Sequence, residues 1–178
     1  MNQLAAIQAL KQQALKGRFV FLKGDLAKLF WGEQRKTFNE GLARLVRSGL
    51  LLRVAHGVYL NPDVQSVHGD ILEHITCAMR RGEYNYVSLE SILSEYGLIS
   101  QIPMDRLTVM TTGRRGVYKT PFGVIEFTHT KRRVPDILNA TIKDKNRALR
   151  IARKETAVRD LKRVGRNLNL LQEEGRDE

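Results

Sequence analysis

Apolar positions along the chain recur at helical spacings in some stretches and alternate in others, and the switches between the two periods outline its elements. Over residues 2–16, Leu4, Ile7, Ala14 and Leu15 stand among Gln and Lys, which predicts an amphipathic helix ending at Gly17. RFVFL (18–22) is β-branched and aromatic and predicts a short strand. Gly24-Asp25 then opens a short helix with Leu26, Leu29 and Phe30 on one face, which Trp31-Gly32 breaks. The most regular segment follows. From Glu33 to Ser48, Phe38, Leu42, Leu45 and Val46 form one stripe, while Lys36, Glu40, Arg44 and Arg47 face the other way. Gly49 ends this helix, because a left-handed backbone costs glycine little. LLLRVA, a turn at His56-Gly57 and VYLNP then predict a hairpin packed through Leu50, Leu52, Val54, Val58 and Leu60. Helix, helix, helix, hairpin is the order of a winged helix-turn-helix. Asn61-Pro62 closes it, since proline cannot extend a strand ladder.

Beyond this boundary, residues 66–82 predict a helix with Ile71, Leu72, Ile75 and Met79 inward, stopping at Gly82. SLESILSEY (88–96) predicts another, with Ser88 as N-cap and Ser91 where a full capping box would hold Glu or Gln. RLTVMTT (106–112) alternates as a strand, residues 113–116 turn, and VYKTPFGVIEFTHT (117–130) continues as one or two strands. Residues 131–146, with Pro135 and little periodicity, read as a loop. ALRIA (148–152) reads as a last strand. Lys154–Val164 reads as a helix with Ala157, Val158 and Leu161 inward, and Leu168 and Leu171 extend a weaker amphipathic tail. The fold expected is α+β: a winged helix-turn-helix over 1–62, then a small α+β domain over 63–178 with an antiparallel sheet.

Charge sharpens this division. The 178 residues carry a net +11. Residues 1–62 hold 10 Lys/Arg against 3 Asp/Glu, residues 63–130 hold 6 against 8, and residues 131–178 hold 14 against 8. Two basic ends around a slightly acidic middle point to a polyanionic partner. Composition, 42% hydrophobic and 28% charged, is that of a globular chain. No apolar run approaches the ~18–20 residues of a membrane span. The N-terminal segment reads as a mature helix, not a signal peptide. With Cys77 as the single cysteine no internal disulfide can form, so a cytoplasmic location is expected.

In a helix laid in the major groove, polar side chains of the N-terminal half read base edges, while the preceding helix and wing hold phosphates. Gln34, Arg35, Lys36, Thr37 and Glu40 occupy that half of the 33–48 helix, and Arg and Gln have the donors and acceptors that discriminate guanine and adenine. Arg44, Arg47, Lys23 and Lys28 suit phosphates, as do Arg53 and His56 near the hairpin tip. Winged helices also serve as protein–protein modules, so an acidic protein partner is the alternative.

Catalytic patterns are sparse. Asp70 and His74, or Asp70 and Glu73, lie a helical turn apart, but His56, His68, His74 and His129 form no metal-ligand spacing, and surface hydrogen bonding explains them better. A nuclease of the Asp…Glu-x-Lys type finds Asp105 and Glu126 in order, yet Thr128 stands where lysine belongs and Lys131 is too far along. The basic, glycine-flanked turn TGRRG (112–116) reads as a solvated hairpin tip. No catalytic residue, metal or cofactor is expected, and the chain is not expected to be an enzyme.

Three stretches in order, GLLLRVAHGVYLNP, YVSLESILSEYGLIS and IARKETAVRDL, resemble the AbiEi family of bacterial antitoxins over roughly residues 20–165. The first is similar to that family's wing, the second to the helix after it, and the third to an Ala-x-x-Glu-x-Ala-x-x-Asp helix, with Ala152, Glu155, Ala157 and Asp160 in register. The chain departs from the fuller pattern at its end, where 18 residues follow Asp160 and larger members continue into further helices. The resemblance implies a DNA-binding antitoxin that represses its own operon through inverted repeats and counteracts a nucleotidyltransferase toxin, often in phage-defence loci. It places Gln34, Arg35, Lys36 and Thr37 in the DNA-reading helix and Arg53 and His56 in the wing. Inverted repeats imply two copies on the DNA.

Overall fold

A computed structural model describes residues 2–63, 71–99 and 105–171. The protein is α+β and divides into two compact units, Met1–Met79 and Arg80–Glu178. Among the described residues no helix is long and apolar enough to cross a membrane.

In the first unit, helix α1 (Gln3–Leu15) begins at Asn2, whose Oδ1 accepts the Leu4 amide at 2.9 Å. Its buried stripe is Ala6 and Leu10, whereas Leu4 and Leu15, expected inward, are exposed. At about 100° per residue Leu4 stands about 200° from Ala6, and Leu15 about 140° from Leu10, so neither can share the i, i+4 face. Strand β1 (Val20–Leu22) leads directly into helix α2 (Lys23–Leu29), and helix α3 (Arg35–Arg47) follows the Trp31-Gly32 turn. Gly49 has φ +74°, the left-handed backbone expected just past α3.

Strands β2 (Leu52–Ala55) and β3 (Val58–Leu60) form the hairpin, and β1 adds to it in the antiparallel order β1-β3-β2, with Val20 opposite Leu60 and Leu22 opposite Val58. The β2–β3 register shifts between Arg53 and Ala55, a bulge that sharpens the twist near the tip. Ala6, Leu10, Phe21, Leu26, Phe38, Leu42, Leu45, Leu51 and Tyr59 make one core that draws on α1, β1, α2, α3, β3 and the residue just before β2. Of the residues expected to pack the hairpin, Val54, Val58 and Leu60 are buried and Leu50 and Leu52 half-buried, while Leu51 beside them is fully buried. Helix α4 (Ile71–Met79) packs on β1 and β3, with Ile75 fully buried and the His74 ring edge-on to Phe19 at 4.6 Å. Packing therefore carries the first unit past the Asn61-Pro62 boundary expected from the charge and the proline.

The second unit comprises β4 (Asn85–Val87), α5 (Leu89–Glu95), β5 (Arg106–Thr111), β6 (Gly116–Thr120), β7 (Gly123–His129), α6 (Val134–Ala140), β8 (Thr141–Lys143), β9 (Arg150–Ala152) and α7 (Lys154–Val164). Its sheet runs β6-β7-β5-β4-β9-β8. The sheet is mixed, not antiparallel as expected: β4–β9 and β5–β7 pair in parallel, and the other three pairs are antiparallel. Residues between parallel neighbours supply the crossovers that such pairing requires. Part of the expected 131–146 loop is instead α6 and β8. Pro135 lies in the first turn of α6, where its missing N–H costs nothing, and only Ile137 of that helix is buried. Leu168, expected on an apolar tail face, is exposed at a 3-10 turn (Leu168–Leu170).

Candidate nucleic-acid interface

The polar face of α3 is built by its own periodicity. Phe38, Gly41, Leu42 and Leu45 are buried, which leaves Gln34, Arg35, Lys36, Glu40, Arg44 and Arg47 exposed. Thr37, expected in the exposed set, is half-buried, because it lies one helical turn before the buried Gly41. Gln34 is the N-cap residue, with extended backbone (φ −62°, ψ 147°), yet its side chain makes no capping bond, and no acid occupies the first turn.

Two contacts fix the neighbouring elements. At the start of α2, the Asp25 carboxylate accepts the Leu22 amide at 2.9 Å. The Lys23 amide donates to the Gly57 carbonyl at 2.8 Å, tying the hairpin turn to the first residue of α2. Lys23 and Lys28 are exposed on α2. At the hairpin, Arg53 and His56 are both exposed, and the Arg53 guanidinium stands 3.4 Å from His56 Nδ1. Because arginine only donates, Nδ1 is the acceptor in this long contact.

Burial sorts the charges by sign. All ten Lys/Arg of residues 1–62 are exposed, whereas two of the three acids, Asp25 and Glu33, are half-buried and only Glu40 is fully exposed. The basic surplus of this segment is therefore all surface charge. Among the candidate residues, the described structure brings Lys23 close to the hairpin turn through its backbone and pairs Arg53 with His56. It supports Gln34, Arg35 and Lys36 on one exposed helical end.

Asp105 and Glu126, the acids of the nuclease order, lie in the second unit, Asp105 exposed and Glu126 buried. Asp160 is buried: its Oδ2 accepts Tyr86 Oη (3.1 Å) and Ser88 Oγ (2.9 Å), and its Oδ1 accepts Arg132 Nη2 (2.6 Å). Burial, then the Asp160 charge, pushes the Tyr86 phenol far above its ordinary range. Ser88 thus spends its hydroxyl on Asp160 and does not cap α5. Of the Ala152, Glu155, Ala157 and Asp160 pattern, the two alanines are buried in packing, Asp160 is the buried acceptor of this network and Glu155 is exposed.

A second cluster joins Arg166 to both Glu90 (2.9 Å) and Glu126, with Arg106 on the other Glu126 oxygen at 2.7 Å and Asn167 on Glu90 at 2.8 Å. Burial alone would raise Glu90, but its bonds from Arg166, the backbone and Asn167 outweigh that and hold its carboxyl below the usual range. Both oxygens of Glu126 are occupied by guanidinium groups, and Asp105 is exposed. Neither buried cluster was foreseen from the sequence, although Asp160 stood in the quoted helix pattern.

The basic turn near 112–116 is held from beneath by Arg80. Its guanidinium lies 4.3 Å from the Phe127 ring centre and 5.1 Å from that of Tyr118, and it donates to the Arg114 carbonyl and to Tyr118 Oη. His74 is engaged in the first unit, and His129 Nδ1 meets the Gly113 carbonyl at 2.9 Å. His68 and Asp70 lie outside the described residues, among which no three His, Cys, Asp or Glu side chains are grouped as metal ligands.

No curated protein matches the chain. Residues 6–174, nearly the whole length, match a family of unknown function, DUF6088, and the chain belongs to that family.

Proposed function

We propose that the first unit is a winged helix-turn-helix that binds duplex DNA, with α3 in the major groove and the β2–β3 hairpin as its wing. The observation that carries this reading is the exposed polar start of α3 on a surface where every cation points outward and most acids do not. The order α1, β1, α2, α3, β2, β3, with β1 completing a three-stranded sheet, supports it. Gln34, Arg35 and Lys36 read base edges, with half-buried Thr37 beside them. Lys23, Lys28, Arg44, Arg47, Arg53 and His56 hold phosphates.

The wider role proposed rests on the AbiEi resemblance: a cytoplasmic antitoxin and autorepressor that binds inverted repeats in its own operon, two copies per operator, and counteracts a nucleotidyltransferase toxin. The Ala152–Asp160 pattern and the wing stretch are what support it, and no catalytic role is assigned to the chain. The test is a gel shift with the DNA immediately upstream of the reading frame. Arg35→Ala and Lys36→Ala should each weaken binding to that DNA over a scrambled duplex with no loss of folded structure by circular dichroism. Wild-type binding by both variants would remove α3 from the groove. Co-expression with the adjacent reading frame tests the antitoxin role, and growth arrest undiminished by this chain would refute it.

A further inference from the structure

Trp31 is the most exposed large apolar side chain of the described residues, at 86%. It sits in the turn between α2 and α3, between Phe30, which packs on the core, and Gly32. It is also the only tryptophan in the chain. An indole placed in water forgoes a large apolar burial, and such side chains are enriched where a partner covers them.

The surroundings indicate the partner's chemistry. Between residues 23 and 37 every fully exposed charge is positive: Lys23, Lys28, Arg35 and Lys36. The two acids of the same stretch, Asp25 and Glu33, are half-buried, and the Asp25 carboxylate is engaged by the Leu22 amide. The covering surface must therefore be anionic and still offer apolar area. Duplex DNA has both, in its phosphates and in its deoxyribose edges and thymine methyls. Trp31 also lies three residues before Gln34, so a duplex that receives the start of α3 passes beside the indole.

We propose that Trp31 packs against the sugar–phosphate edge of bound duplex DNA at the mouth of the groove entered by α3, its indole N–H donating to a phosphate oxygen. This rests on the DNA-binding reading above and adds to it an apolar contact outside the reading helix. Indole nitrogen is a donor only, which suits a phosphate and not a cationic partner.

The experiment uses the full chain and a fluorescein-labelled duplex of its own upstream region, at low salt where phosphate attraction alone suffices for binding. Anisotropy of the label reports binding independently of Trp31. Intrinsic emission, with acrylamide as neutral quencher, reports the indole directly because no other tryptophan contributes. The expected result is a shifted emission and reduced acrylamide quenching on saturation with duplex. Trp31→Ala should weaken binding about tenfold, and Trp31→Phe less than about threefold. An indole so exposed has little role in stability, so thermal melts of Trp31→Ala should match wild type.

Saturating anisotropy with unchanged emission, or with wild-type affinity in Trp31→Ala, overturns the contact while leaving DNA binding in place. Protection by the single strand but not by the duplex overturns it as well, since stacking on unpaired bases would then be the contact. No anisotropy change with duplex overturns the DNA-binding reading itself, and this contact with it.

Discussion

Arg53→Ala offers the most quantitative check on the wing. Five exposed cations are proposed to meet phosphates, Lys23 and Lys28 on α2, Arg44 and Arg47 in the second half of α3, and Arg53 on β2. Each neutralised phosphate of B-DNA contributes about −0.9 to the slope of log affinity against log salt, so five give about −4.5 per bound chain. Between about 50 mM and about 200 mM salt, affinity should then fall about 500-fold. Removing Arg53 should flatten the slope to about −3.6, and the same change in salt should cost about 150-fold. If two copies occupy an inverted repeat, the wild-type slope is about −9 and the variant's about −7.2.

The assay is fluorescence anisotropy of labelled duplex across a salt series, run with the upstream sequence and with a scrambled one. Loss from Arg53→Ala should be equal on both duplexes, because a backbone contact carries no sequence information. Arg35→Ala should instead reduce the difference between the two duplexes. A wild-type slope shallower than about −2, or an Arg53→Ala slope equal to wild type, would refute the phosphate assignment. A loss confined to the upstream sequence would mean that Arg53 reads bases.

Three further outcomes test the framework. Asp160→Ala strands Arg132 in a buried site and should destabilise the chain by about 3–5 kcal/mol, while Tyr86→Phe, removing one of three donors, should cost about 1 kcal/mol; urea unfolding measures both, and equal losses would contradict the network. Glu90 has a lowered folded pKa, so its contribution is fully present above its unfolded value of 4.5 and is lost as pH falls through the lower folded value; melting temperature should drop over that acid range, and Arg166→Gln should shrink the drop, a parallel pH profile counting against it. Gly57→Ala forces a left-handed backbone (φ +69°) on an alanine and should cost about 1–2 kcal/mol by urea midpoint, with no loss expected only if the hairpin turn rearranges.

Where periodicity is strong, the sequence anticipated the fold well. The α3 stripe, the glycine after it and the hairpin at His56-Gly57 are local signals, each written in residues within one or two turns of each other. Short elements were harder to read. Helix α6 has seven residues and one buried side chain, and β8 has three residues, so neither supplies two full periods of any pattern. Parallel pairing of β5 with β7 has no local signature either, because the direction of pairing is set by how the intervening chain returns to the sheet and not by the residues of one strand. The first unit's true extent was hidden for a related reason: a proline and a change of charge sign mark the chain, but the contacts of α4 with β1 and β3 decide which core it joins.

The candidate site divides along the same physical line. Exposed faces are readable because amphipathic helices turn polarity into direction, and Gln34, Arg35 and Lys36 stand outside as that rule requires. Buried polar groups are not, because their partners are distant in sequence: Asp160 meets residues 74, 72 and 28 positions away. In the sequence Asp160 stands only as the last position of a helix pattern, and the fold supplies its partners Tyr86, Ser88 and Arg132. Trp31 inverts the problem. Pattern reading assigns apolar residues to the core and takes Trp31-Gly32 as a helix breaker, so an indole left in water is visible only once Phe30 and Leu29 are seen to fill the space beneath α2. On the proposal that duplex DNA covers Trp31, a core that Phe30 and Leu29 already pack leaves the indole free for that contact, and the exposed positive charges on either side favour an anionic surface.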